Sequence, residues 1–163
     1  MVSIECVFPN NQRYLWRIVD YLQRDAAAKG VRNSRNHAFD SFWHQLGCIA
    51  YDKDRVWVAI DSRNHHLVGY MVVNTCSLGD PALVYGDILR VEYFEILPRH
   101  RRKGMGRRMV EWLKERAAAK QFGYIHVSHP LVETSGFWEA LGFAERAGET
   151  GLWMKSSYQA GRF

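Results

Sequence analysis

The sequence predicts an α/β fold of the α+β kind, a mixed sheet with helices packed on it. Three observations carry this. Short β-rich runs alternate with longer runs whose apolar residues recur at helical spacing. Glycine, proline, asparagine and aspartate punctuate the joins between them. The 163 residues are 47% hydrophobic and 13% aromatic, enough for one domain (1–163) with a buried core and incompatible with a disordered chain.

The elements follow in order. "SIECVF" (3–8) alternates and reads as a strand, broken by Pro9-Asn10-Asn11. From Gln12 to Lys29, Leu15, Ile18, Val19, Leu22 and Ala26 mark one face of a helix that Gly30 closes. A second helix is predicted at 39–50, with Phe39, Phe42, Trp43, Leu46 and Ile49 on one face. "RVWVAID" (55–61) and "LVGYMVVN" (67–74) flank the turn "DSRNHH" and form a hairpin. Residues 75–87 form a loop, and "ILRVEYFEIL" (88–97) is a long strand stopped by Pro98. A helix runs from about Met105 to Phe122, its stripe made by Met105, Met109, Leu113 and Ala117 with Val110 beside it. "YIHVSH" (124–129) is a strand, "ETSGFWEALGF" (133–143) a short helix, and "LWMK" (152–155) a last strand. Thr134 or Ser135 can cap that short helix, and Gly142-Phe143 fits a left-handed C-cap. The order is β-α-α-β-β-β-α-β-α-β.

No apolar stretch is long enough to span a membrane, and "MVSIECVF" lacks the layout of a signal peptide. Cys6, Cys48 and Cys76 are odd in number and widely spaced, so neither a disulfide framework nor a CxxC knuckle is suggested and a reducing cytoplasm is expected. His126, His129, His65, His66 and Cys76 fit no zinc spacing, and no metal is expected.

The charge is the most informative feature. The chain carries 22 basic and 17 acidic residues. Six of the basic ones (Arg99, Arg101, Arg102, Lys103, Arg107 and Arg108) lie in "PRHRRKGMGRR", Pro98 to Arg108, without an acid. The rest of the chain is close to neutral, so the excess is local. Such a run is either a solvated patch or the seat of a compact polyanion. Its place between a strand and a helix favours the second. The first amides of a helix lack internal partners, and its dipole makes that end positive. Gly104 and Gly106 admit a ligand close to the backbone, and arginine supplies charge-assisted bonds to phosphate. These are the parts of a pyrophosphate site. The run is not a Walker A loop, and it lacks the third glycine of a dinucleotide fingerprint. A second basic zone, of Arg13, Arg17, Arg24, Lys29, Arg32 and Arg35, lies in residues 13–35.

"PRHRRKGMG" resembles motif A of the GNAT superfamily of N-acetyltransferases, [RQ]-x-x-G-x-[GA], with Arg101, Gly104 and Gly106 at its defined positions. "FWEALGF" (137–143) is similar to the family's later motif, F-Y-x-x-L-G-F, and the element order matches along nearly the whole chain. The resemblance implies a GNAT-like mixed, mostly antiparallel central sheet flanked by helices, and acetyl-CoA as co-substrate. It implies that Arg101, Arg102, Lys103, Gly104, Met105, Gly106 and Arg107 hold the diphosphate. Phe94, Glu95 and Ile96 would pair with pantetheine at the splayed strand end.

Acetyl transfer to an amine needs a base for the ammonium, a donor for the oxyanion and, to advantage, an acid for the thiolate. In the family the donor is often a backbone N–H, here near Ile96. The acid is often the tyrosine of the later motif, where this chain has Trp138. Indole is no acid at neutral pH, so Trp138 either lines the pantetheine or packs in the core, and another group or none protonates the thiolate. Candidate bases are Glu92 or Glu95, which alternation puts on opposite faces unless a bulge intervenes, and His126. Each could equally be a structural residue: a solvated carboxylate or a hydrogen-bonded strand histidine. The asparagine that many relatives carry after this strand is missing, replaced by "HPLVET".

The acceptor is an amine of a small molecule or of a protein N-terminus or lysine. The basic 13–35 zone disfavours a polycation and suits an acidic acceptor. The leading expectation is a cytoplasmic acetyl-CoA-dependent N-acetyltransferase, a monomer or homodimer. The alternatives are a non-catalytic acyl-CoA-binding sensor, suggested by Trp138, and an RNA-directed (aminoacyl-tRNA) acetyltransferase of the toxin type, suggested by the 13–35 zone.

Overall fold

A computed structural model describes residues 1–8, 10–28, 55–76, 88–128 and 130–156. Its elements are β1 (Val2–Cys6), α1 (Arg13–Ala28), β2 (Val56–Asp61), β3 (His66–Cys76), β4 (Ile88–Ile96), α2 (Met105–Ala119), β5 (Tyr124–Val127), α3 (Ser135–Glu139), β6 (Ala144–Glu145) and β7 (Leu152–Lys155). Single 3-10 turns precede α2 at Pro98–His100 and α3 at Val132–Thr134. The strands form one seven-stranded mixed sheet in the order β1-β2-β3-β4-β5-β7-β6. β4 and β5 run parallel, whereas β1–β2, β5–β7 and β6–β7 are antiparallel. The predicted helix at 39–50 and most of the 75–87 loop lie outside the described residues, as do Cys48 and His129.

By contacts the chain divides into two compact units, Met1–Tyr70 and Met71–Phe163. In the first, β1 pairs with β2 from Val2↔Asp61 to Cys6↔Trp57, and Val7 N–H extends the ladder to Val56 O at 2.9 Å. The hairpin turn between β2 and β3 is closed by His65 N–H on Asp61 O, and the side chains of Asp61 and Asn64 accept from Arg63 and His66 N–H. Ile18 and Val19 of α1 are buried as the helical spacing predicts, while Leu15 and Leu22 are half-buried. Tyr14, absent from that predicted face, is fully buried, and Arg13 and Arg17 lie over its ring.

The second unit carries the parallel β4–β5 pair and α2, whose buried residues are Met109, Val110, Leu113 and Ala117. These are the predicted stripe less Met105, which starts the helix and is half-buried. The 133–143 helix is shorter than expected. α3 ends at Glu139, and Gly142 adopts φ +91° so that Phe143 N–H reaches back to Trp138 O. That is the left-handed C-cap, with Phe143 buried behind it. Neither expected N-cap forms: Thr134 turns its hydroxyl to Leu131 O, and no side chain caps α3. β6 has only two residues, both exposed, so its sequence carries no alternation to betray it.

Candidate active site

The basic loop runs from the end of β4 into α2. Gly104 is the N-cap of α2 at φ +75°, and no side chain caps this helix. The first helical bond at this end is Arg108 N–H to Gly104 O at 3.1 Å. The amides of Met105, Gly106 and Arg107 therefore face out of the helix end without intrahelical acceptors. The two glycines have different reasons to be glycine. A Cβ on Gly104 would meet nothing within 4 Å, so that position is constrained by its left-handed backbone and leaves open space beside it. A Cβ on Gly106 would stand 3.1 Å from the Phe137 ring and 3.7 Å from Ile96, so that glycine lets α2 lie close to α3 and the end of β4.

The loop's charges divide into two groups. Arg101 donates Nε–H to Ile96 O at 2.9 Å and pairs with Glu95 at 2.6 Å. Lys103 donates to Arg99 O at 2.8 Å. These two side chains tie the loop to β4 and to its own 3-10 turn. The side chains of Arg102, Arg107 and Arg108 are exposed and make no hydrogen bond or ion pair among the described residues. Arg102 itself sits at φ +57°, a costly conformation for a side chain with a Cβ.

β4 parts from β5 beside this loop. Their pairing runs from Ile88↔Tyr124 to Val91↔Val127, with Ser128 N–H on Val91 O at 3.3 Å. β4 then continues five residues to Ile96. In that stretch the Phe94 ring meets α3, 6.0 Å from Phe137 and 5.2 Å from Trp138.

Trp138 is 3% exposed and has Phe94, Phe137 and Phe143 edge-on around it at 5.1–5.2 Å. Its indole is the centre of a packed aromatic cluster. Glu92 is partly exposed and lies 3.9 Å from Arg90. It adds to the burial that pushes the Tyr93 hydroxyl above its ordinary pKa of 10.0. His126 is 5% exposed, stacked on Trp153 at 4.1 Å, with Nε2 2.9 Å from Thr150 O. Burial lowers its pKa from 6.5, against a smaller opposite effect of the Thr150 bond, so the ring is neutral at pH 7. Glu92 and Arg90 act on it electrostatically with opposite sign. The structure thus groups Glu92, Arg90 and His126 along β4 and β5, while Glu95 is tied to Arg101. Phe137, Thr150, Gly151 and Trp153 also shape this region. Phe137 opens the FWEALGF stretch, whereas Thr150, Gly151 and Trp153 carry no sequence signal, because only the fold brings their contacts together.

Among the described residues no three His, Cys, Asp or Glu side chains gather as a metal site, and no helix is long and apolar enough to cross a membrane.

Comparison with known proteins agrees with this architecture. Residues 52–145 match the family model of the acetyltransferase (GNAT) domain. A Bacillus pumilus protein described as an uncharacterized N-acetyltransferase is 39% identical over 57 residues, which are 35% of this chain and only 32% of that relative. The Bacillus subtilis N-acetyltransferase YlbP, solved in complex with coenzyme A, superposes with a TM-score of 0.60 at 18% identity, covering 95% of this chain and 97% of that one. A structure described as a transcriptional regulator from Bacillus halodurans C-125 gives 0.66 at 22% identity, covering 94% and 99%. At such identities these likenesses speak for the fold, whereas the domain match spans more than half of the sequence: the chain belongs to the GNAT acetyltransferase family.

Proposed function

We propose that this chain is one acyltransferase domain that moves an acetyl group from acetyl-CoA to a primary amine. The observation that carries the reading is the uncapped N-terminus of α2. Its amides at Met105, Gly106 and Arg107, the open space beside Gly104, and the exposed Arg102 and Arg107 fit a diphosphate in both shape and charge. Arg101 and Lys103 serve that site by holding the loop rather than by reaching out of it. Beyond Val91, β4 offers backbone at Phe94, Glu95 and Ile96 to the pantetheine arm, with Ile96 N–H as the oxyanion donor. Acetyl-CoA, when bound, supplies the activated thioester.

Glu92 and His126 are the proposed acid–base residues. Glu92 is accessible, and His126 is neutral near pH 7 and so able to accept a proton. Trp138 acts through packing, because its indole is enclosed by three other rings. The acceptor is proposed to be a small-molecule amine or a protein N-terminus or lysine. Thiol release from acetyl-CoA over a broad amine panel tests the enzyme reading; the expected result is amine-dependent release that fails when Glu92 and His126 are both replaced.

One observation favours a sensor that binds acyl-CoA without turnover: neither His126 on β5 nor Trp138 on α3 is exposed. Tight coenzyme A binding with no release above background for any amine would decide for it.

A further inference from the structure

His126 is held from one side by a turn that has no other evident task. The Thr150 carbonyl lies 2.9 Å from His126 Nε2 and also accepts from Trp153 Nε1–H at 3.3 Å. One backbone oxygen thereby fixes both rings of the 4.1 Å stack. A carbonyl only accepts, so the imidazole must carry its proton on Nε2, and Nδ1 is left with a lone pair. That Nδ1 is buried and without a partner among the described residues. The Nε of Arg90, at the paired position on β4, is buried in the same condition, and so is Oγ of Ser128, just past the end of β5. An acceptor, a donor and a hydroxyl orphaned on neighbouring positions are what one enclosed water or one polar group of a ligand would satisfy.

The next residue explains how the turn comes so close. Gly151 is at φ +82°, and a Cβ there would stand 2.3 Å from Val127 O and 2.5 Å from His126 Nε2. No other residue fits without pushing the turn off the imidazole.

We propose that the Thr150–Gly151 turn is a positioning element of the reaction centre. It locks His126 as the Nε2–H tautomer and so presents Nδ1 as the proton acceptor. Gly151 is the positioning residue. The proposal rests on the acetyltransferase reading and deepens it, because it names which nitrogen works and what sets it. The charged groups around the ring are Arg90 and Glu92 on β4 and Glu149 before the turn, with Arg146 over the far ring of the stack.

Nitrogen-15 NMR of the wild-type histidines reads the tautomer without any mutation or turnover. The expected spectrum for His126 has a protonated Nε2 and an unprotonated Nδ1 at pH 7.5; the opposite tautomer overturns the proposal. His126→Gln supplies the activity arm. Its amide can still donate to Thr150 O, so stability should hold, but it has no basic nitrogen, so kcat should fall by about 10²-fold with KM for acetyl-CoA unchanged. Turnover within threefold of wild type would reduce His126 to a strut and overturn the assignment. Gly151→Ala, if it folds, should yield a mixture of tautomers and a lowered kcat; retention of the single tautomer at full kcat refutes the role of Gly151. A wild-type chain that releases no thiol with any amine sinks the enzyme reading instead, and the spectrum still decides the tautomer.

Discussion

Gly104→Ala and Gly106→Val should fail in opposite ways. Both lie in the motif that carries the proposed diphosphate site, and both would be expected from sequence to block a ligand. At Gly104 an added methyl points into open space but must adopt φ +75°. The left-handed conformation costs a residue with a Cβ about 1–2 kcal/mol. For a chain of this size each kcal/mol shifts Tm by about 2–4 °C. Gly104→Ala should therefore lower Tm by about 2–8 °C and leave the fold intact. Its methyl occupies the approach to the amides of α2, so coenzyme A affinity should drop at least tenfold, the loss of about one bond to a charged group. At Gly106 the Cβ alone would press on Phe137 at 3.1 Å, and valine adds two methyls behind it. Phe137 stacks on Phe94 and abuts Trp138, so the disturbance enters the aromatic cluster. Overpacking of this kind costs about 1–3 kcal/mol. Thermal melts with and without coenzyme A, paired with calorimetric titration, separate the two effects. Unchanged affinity in Gly104→Ala would refute the diphosphate site. An unchanged Tm for Gly106→Val would refute the packing account of that glycine.

Three further outcomes follow from the same geometry. Arg101→Ala should weaken coenzyme A binding through a loosened loop, and Arg101→Lys should restore little of it, since lysine cannot span both Ile96 O and Glu95 as the guanidinium does; equal affinity in lysine variant and wild type would contradict this. Trp138→Tyr should lower stability by about 1–3 kcal/mol in urea melts and leave kcat no higher, because the position is enclosed by rings rather than turned to a thiolate; a faster enzyme would show that the phenol reaches the reaction. For His126 the folded pKa lies below the unfolded 6.5, so the unfolded chain binds the extra proton first as pH falls. Its contribution to stability should be intact above about 6.5 and decline below that until the folded pKa is passed. His126→Gln should flatten that part of the stability–pH curve, which urea melts from pH 5 to 7.5 would measure.

Much of this architecture was legible in the sequence because period and punctuation agree. The α2 stripe, the long strand ended by Pro98 and the Gly142 cap each combine a local preference with a tertiary use. β3 is legible at 67–74 from its β-rich composition alone, since Leu67–Val73 are all buried and show no alternation. The failures have physical reasons. Tyr14 lies outside the aliphatic stripe of α1 that the spacing marks, yet it is fully buried, with Arg13 and Arg17 over its ring. The Thr150 carbonyl and Gly151 are invisible for a deeper reason: backbone groups have no sequence signature, and "GETG" looks like any turn.

In the sequence the six basic residues of 99–108 form one block of charge, and the structure divides their labour. A loop that must present bare amides to an anion cannot spend those amides on its own folding. It needs other bonds to hold its shape. Arg101 and Lys103 provide them by donating to the carbonyls of Ile96 and Arg99, bonds that leave every α2 amide untouched. Glu95 answers the charge of Arg101, so that arginine adds little field at the helix end. In the proposed site Arg102, Arg107 and Arg108, all exposed, remain to attract the diphosphate. Exposed charges of this second kind are screened by salt, whereas the carbonyl-bound pair acts through geometry. The two groups therefore separate in a titration. Replacing Arg102 and Arg107 together with glutamine should weaken coenzyme A binding at low salt and lose most of that effect at 1 M, where the Debye length is about 3 Å. The Arg101→Ala loss should persist at both. If all these variants showed the same salt dependence, the division of the loop into scaffold and lure would be wrong.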